Sequence, residues 1–96
     1  MNLLVCYDVS TETPAGRKRL RKVAQVCKDF GQRVQYSVFE CTVSETNRER
    51  LRQRLLQVID PAEDNLRIYQ LAGNREEVVE AHGKDRYVDF AGPLVI

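Results

Sequence analysis

Ninety-six residues, 43% hydrophobic and 30% charged, make one globular domain spanning residues 1–96, with no room for a second core. A mean hydropathy of −0.45 and the lack of any apolar run near the ~20 residues of a membrane span exclude an integral membrane helix. The net charge of +1 conceals a segregation, because residues 13–33 hold seven basic side chains against Asp29 alone. That block reads either as a surface for a polyanion or as a solvated helix face.

Residues 2–9 form a continuous apolar run, as expected for a central strand covered on both faces. The run is halted by Asp8 and has no basic flank, so it is no signal peptide and a cytoplasmic protein is expected. Thr13-Pro14 starts a helix, with Thr as the cap and Pro where its missing N–H costs nothing. Leu20, Val23, Ala24, Cys27 and Phe30 give that helix one apolar stripe, and Gly31 ends it. Residues 33–43 alternate with period two, with Val34, Tyr36 and Val38 on one face and Ser37, Phe39 and Cys41 on the other. The stretch reads as one long strand or as two short ones bent at Tyr36-Ser37.

A second helix from Ser44 is expected to bury Leu51, Leu55 and Val58, with Leu56 and Ile59 as further candidates, and to end at Asp60-Pro61. Its charged face, Arg48 to Arg54, reads as solvated. Residues 66–72 form a strand, Gly73-Asn74 a turn, and residues 76–81 a helical turn or loop. The apolar end Leu94-Val95-Ile96 is expected to dock as a strand on a sheet edge. The order predicts an α+β layer of two helices on an antiparallel sheet, ferredoxin-like if residues 33–43 supply two strands.

Three widely spaced cysteines, Cys6, Cys27 and Cys41, offer no C-x-x-C and read as small core residues in a reducing compartment. The lone His82 reads as a surface or loop residue, and no nucleophilic triad, phosphate loop or zinc motif is present. What remains is Asp8 at a strand end. It reads as a hard-metal ligand, for which two copies in a dimer would be needed, or as an Asx-type cap of the loop that follows. A metal-binding acid flanked by Arg and Lys suits phosphodiester hydrolysis.

Tyr7-Asp8-Val9-Ser10, the basic run Arg17–Lys22, and above all the string from Gly31 to Cys41 (Gly-Gln-Arg-Val-Gln-Tyr-Ser-Val-Phe-Glu-Cys) resemble the small CRISPR-associated nuclease family, the second (Cas-two) subunit of spacer acquisition. The resemblance continues through Asp64-Asn65-Leu66-Arg67-Ile68-Tyr69 to Gly92-Pro93-Leu94 and covers essentially the whole chain. It implies a ferredoxin-like homodimer whose last strand completes the partner's sheet. It also implies an Mg²⁺-dependent endonuclease, with Mn²⁺ as a substitute, acting on single-stranded RNA or double-stranded DNA. The implied catalytic and metal-binding residue is Asp8; the implied nucleic-acid contacts are Tyr7, Arg17, Arg19, Arg33, Ser37 and Phe39. For Phe39 a core position is an equal alternative, and Ser37 has its own sheet as one. The resemblance further implies a partner, the CRISPR integrase, whose dimers a non-catalytic adaptor of this kind would bridge while holding protospacer DNA.

Overall fold

β1 (Asn2–Asp8) is hydrogen-bonded on both sides, to β3 (Val38–Thr42) and to β4 (Asn65–Leu71). With β2 (Gln32–Gln35) it completes an antiparallel sheet in the order β2-β3-β1-β4. Helices α1 (Pro14–Phe30) and α2 (Glu45–Val58) connect the strands, and a one-turn α3 (Arg75–Val78) follows β4. The structure, a computed structural model, describes residues 1–84 and 87. The expected C-terminal strand falls on residues 88–96, outside the described residues. Two helices on a four-stranded antiparallel sheet of this order are the ferredoxin-like sandwich.

α1 and α2 cover one face of the sheet. Leu3, Val5, Tyr7, Phe39 and Cys41 point into that core and meet Val23, Val26 and Cys27 of α1 and Leu51 and Leu55 of α2. Among the described residues the other face carries no helix of this size. β1 is therefore covered on one side rather than two: Leu4 and Cys6 are only half-buried, so Cys6 is not the core residue expected, whereas Cys27 and Cys41 are. Burial pushes the Cys27 thiol up to about 12 and the Cys41 thiol up to about 11, which keeps both protonated.

Residues 33–43 resolve into two strands joined at Tyr36-Ser37. No non-glycine residue has positive φ, so the turn is neither type I′ nor II′. Instead Arg33 opposes Phe39 while Gln35 opposes Val38, and the extra residue, Val34, is a bulge in β2. The alternation of the sequence is broken there, and Tyr36 is left 91% exposed.

The helix signals are local and hold. Thr13 Oγ1 accepts from Gly16 N at 3.0 Å and Ser44 Oγ from Asn47 N at 3.2 Å, caps worth ~1 kcal/mol each. Gly31 does end α1, but its φ of −164° is ordinary extended backbone. Its reason is space, since a Cβ would lie 2.3 Å from Glu40 O and 2.4 Å from Cys41 Sγ. At the end of α2, Val58 and the cap residue Ile59 pack against the core, while Leu56 is exposed, about 100° around the helix from Leu55. No helix among the described residues is long and apolar enough to cross a membrane.

Candidate active site at the end of the central strand

Asp8 closes β1, exposed, with Asn65 of β4 directly opposite. Inward and outward residues alternate along β1, so Asp8 shares the open face with Leu4 and Cys6 while Tyr7 points beneath the helices. On the other flank lies the β2–β3 turn, whose Ser37 carbonyl accepts from Tyr7 N at 3.1 Å. Among the described residues the Asp8 carboxylate makes no hydrogen bond and no ion pair.

The loop after Asp8 is held by a different carboxylate. Asp64, its side chain fully buried, accepts from Ser10 N at 3.1 Å and from Asp60 N at 2.9 Å. Arg19 of α1 adds a two-pronged contact, Nε at 2.9 Å and Nη2 at 3.3 Å. The Arg19 guanidinium, with the two backbone N–H groups behind it, holds Asp64 below the usual carboxylate range. The loop-capping role that the sequence offered to Asp8 thus belongs to Asp64, and the Arg19 expected on nucleic acid is engaged inside the fold. Gly16 seals the junction, because a Cβ there would come 2.0 Å from Ser10 O.

Tyr7, Arg33 and Phe39 do come together, on the covered face. Tyr7 and Phe39 stack with centroids 6.2 Å apart, and the Arg33 guanidinium lies 5.2 Å from the Phe39 ring centroid. Phe39 is 0% exposed and is a core residue, so the contact role weighed for it has no surface to act through. Tyr7 is almost as deeply placed; burial pushes its phenol up, with Arg33 opposing, and its hydroxyl donates to Tyr36 O at 3.4 Å. Arg33 Nε is buried without a partner. Of the other residues the sequence singled out, Ser37 is tied to the end of β1 through its carbonyl, which accepts from Tyr7 N.

The helices carry the positive charge. α1 holds six basic residues against Asp29 and α2 four against Glu45 and Glu49, a net of +7 in the two helices of a chain whose total is +1. Arg17 donates to Thr11 O at 3.1 Å, Arg52 pairs with Glu49, and Arg54 bridges to Asp29 at 2.7 Å. Lys18, Arg21, Lys22, Lys28, Arg48 and Arg50 are exposed with no ion pair among the described residues. His82 is exposed, as the sequence suggested, with its ring 2.8 Å from Glu80.

No three His, Cys, Asp or Glu side chains gather into a metal cluster among the described residues. Asp8 nonetheless has the donor chemistry of a hard cation, which accepts one or two carboxylates and keeps most of its water. Sequence reading gave Asp64 no role of its own, because its hold on the loop shows only through the contact with Ser10, 54 residues away.

The fold and the site define a ferredoxin-like α+β sandwich with an exposed carboxylate at the end of its central strand, and comparison with known proteins defines it further. The model of the family described as CRISPR associated protein Cas2 matches residues 1–78. A Moorella thermoacetica protein named CRISPR-associated endoribonuclease Cas2 1 is 58% identical, covering all of both chains. A Halalkalibacterium halodurans protein named CRISPR-associated endonuclease Cas2 is 46% identical over 99% of each. The crystal structure of Streptococcus pyogenes Cas2 superposes with a TM-score of 0.76 at 54% identity, covering 86% of this chain and all of that one. The chain belongs to the CRISPR-associated Cas2 family.

Proposed function

We propose that the protein is an endonuclease that hydrolyses phosphodiester bonds of single-stranded RNA or double-stranded DNA, acting as a homodimer with Mg²⁺, or Mn²⁺ in its place, held by Asp8. The observation that carries this reading is the exposed Asp8 carboxylate, without a partner among the described residues, in a fold where Asp64 already holds the adjoining loop. Relatives named endoribonuclease and endonuclease support it. A bound Mg²⁺ supplies Lewis acidity toward a phosphoryl oxygen and a water of lowered pKa. The chain's own residues do the rest. Asp8 anchors the cation, a second copy brings a second Asp8, and the unpaired cations of α1 and α2 hold the backbone of the substrate.

A second reading has its own support. One carboxylate per chain is sparse for a two-metal nuclease, whereas +7 on the helices is ample for duplex DNA. In that reading the dimer is an adaptor that binds protospacer DNA and bridges CRISPR integrase dimers in spacer integration and antiviral defence. The deciding assay incubates wild type and Asp8→Ala, both verified as folded, with labelled single-stranded RNA and duplex DNA in Mg²⁺ and in EDTA. Cleavage lost with both EDTA and Asp8→Ala supports the enzyme. Equal cleavage by both proteins sinks it, and binding without cleavage leaves the adaptor.

A further inference from the structure

The turn between β2 and β3 carries an aromatic ring with no role in the fold. Tyr36 is 91% exposed, where no other large hydrophobic side chain among the described residues passes 46%. Among those residues its hydroxyl and ring have no partner. One exposed ring is ordinary on a protein surface, but this one is held in a defined place. β1 and β3 pair as far as Cys6 and Val38, and Tyr7 N, donating to Ser37 O at 3.1 Å, carries the register one residue on. The next step of that register sets the Tyr36 backbone level with Asp8. The Tyr7 hydroxyl also donates to Tyr36 O, at 3.4 Å, so Tyr7 holds both residues of the turn and directly precedes Asp8. Tyr36 belongs to no strand and stands at the rim of the sheet, past the last β3 residue of its open face.

We propose that Tyr36 is a stacking platform for an unpaired nucleobase of the strand held at Asp8. The proposal rests on the nuclease reading and narrows the two substrates weighed there to the single strand, because a base inside a duplex already has a neighbour on each face. Stacking on a phenol ring asks nothing of base identity, since every base has a π-face, and it brings no charge. A backbone fixed by two hydrogen bonds presents the ring without a loop having to order first. One base fixed at the level of Asp8 limits how the adjoining phosphodiester can lie, which is a positioning role and not a catalytic one.

The chain contains no tryptophan, so Tyr36→Trp keeps an aromatic face and adds a single reporter at the platform. Wild type, Tyr36→Ala and Tyr36→Trp, each checked for melting temperature and oligomeric state, are titrated in EDTA with a single-stranded RNA and with a blunt duplex DNA of equal length. Tyr36→Ala is expected to weaken RNA binding ~10-fold or more and to leave duplex binding within ~2-fold. The salt slope stays unchanged, since the ring neutralises no phosphate. Tyr36→Trp is expected to bind RNA at least as tightly as wild type, with its emission quenched by the RNA and not by the duplex. An equal loss on both ligands, or none on RNA, overturns the proposal. So does tryptophan emission that acrylamide cannot reach in the nucleic-acid-free dimer, which would place the ring under the second copy. Cleavage in Mg²⁺ is measured alongside. If the RNA-specific loss and quenching are seen but wild type cuts neither substrate, the nuclease reading fails and the platform stands. Cleavage without the RNA-specific loss spares the nuclease and removes Tyr36 from its site.

Discussion

The two faces of the sheet spend their polar groups differently. On the covered side, Asp64 has four hydrogen-bond donors within 3.3 Å, and even Tyr7 sends its hydroxyl to a backbone carbonyl. On the open side, among the described residues, Asp8 has no hydrogen-bond or ion-pair partner, Arg67 has only a phenol, and Cys6 and Leu4 are half-buried. Two aspartates at the ends of adjacent strands thus carry opposite assignments. Asp64 stabilises the loop, and Asp8, relieved of that task, is available to a ligand. An exposed carboxylate with no partner among the described residues adds nothing to the fold, and the metal role proposed for Asp8 rests on that freedom.

Substituting each aspartate separates the two roles most sharply. Asp8→Ala should abolish metal-dependent cleavage, a loss of ~10³-fold or more, while changing stability by no more than ~0.5 kcal/mol, because it breaks no protein contact. Asp64→Ala should do the reverse in kind. It leaves two backbone N–H groups and a guanidinium without their acceptor and costs ~2–3 kcal/mol, seen as a melting temperature lower by ~10 °C or more. Comparable destabilisation by both substitutions would erase the distinction.

Gly31→Ala tests how tightly the covered side is closed. The new methyl would meet backbone at Glu40 and the buried Cys41 sulfur, so α1 or β3 must move, at ~2 kcal/mol. Chemical denaturation of the variant gives the number, and a cost under ~0.5 kcal/mol would mean the closure is loose.

What the sequence disclosed follows the range of the interaction. The start of α1 was legible because Thr13-Pro14 acts within a few residues; its end falls at Gly31 as read, though what requires the glycine there is contact with β3 and not a local cap. Leu51 and Leu55 were legible because a helix repeats its own spacing. The hairpin was not, since neither Tyr36 nor Ser37 announces a turn and the bulge at Val34 is a matter of pairing. Asp8 stood out by residue type, but its freedom depends on Asp64, whose partners lie 54 and 45 residues away. Family resemblance named Tyr7, Arg33 and Phe39 beside Asp8 as nucleic-acid contacts, and only the strand alternation shows that these three meet one another on the opposite face from Asp8.

Acid should weaken the covered side in a defined window. Arg19 and the Ser10 and Asp60 N–H groups depress the folded-state value of Asp64, so its contribution is complete above the unfolded value of ~3.9 and is lost as pH falls through the lower folded one. Asp29 is depressed in the same direction by Arg54, but both are exposed and screened. Melts from pH 6 to 2 should therefore fall more steeply below pH ~4 for wild type than for Asp64→Asn, which keeps an acceptor but has no charge to lose. Parallel curves would show that the Arg19–Asp64 pair contributes no pH-linked stability.

The gentlest test leaves the sequence unchanged and reads both faces in one tube. Cys27 and Cys41, buried with thiols pushed to about 12 and 11, present almost no thiolate at pH 8, so a maleimide should miss them until the protein unfolds. Cys6, half-buried on the open face beside Arg67, should label in the native state. Because a homodimer built over this face would shield it, its labelling rate should rise as the protein is diluted below the dimer dissociation constant. Mass spectrometry of quenched samples distinguishes the three thiols. Native labelling of Cys27 would contradict the closed core, and a Cys6 rate independent of dilution would place the second copy somewhere other than the face that carries Asp8.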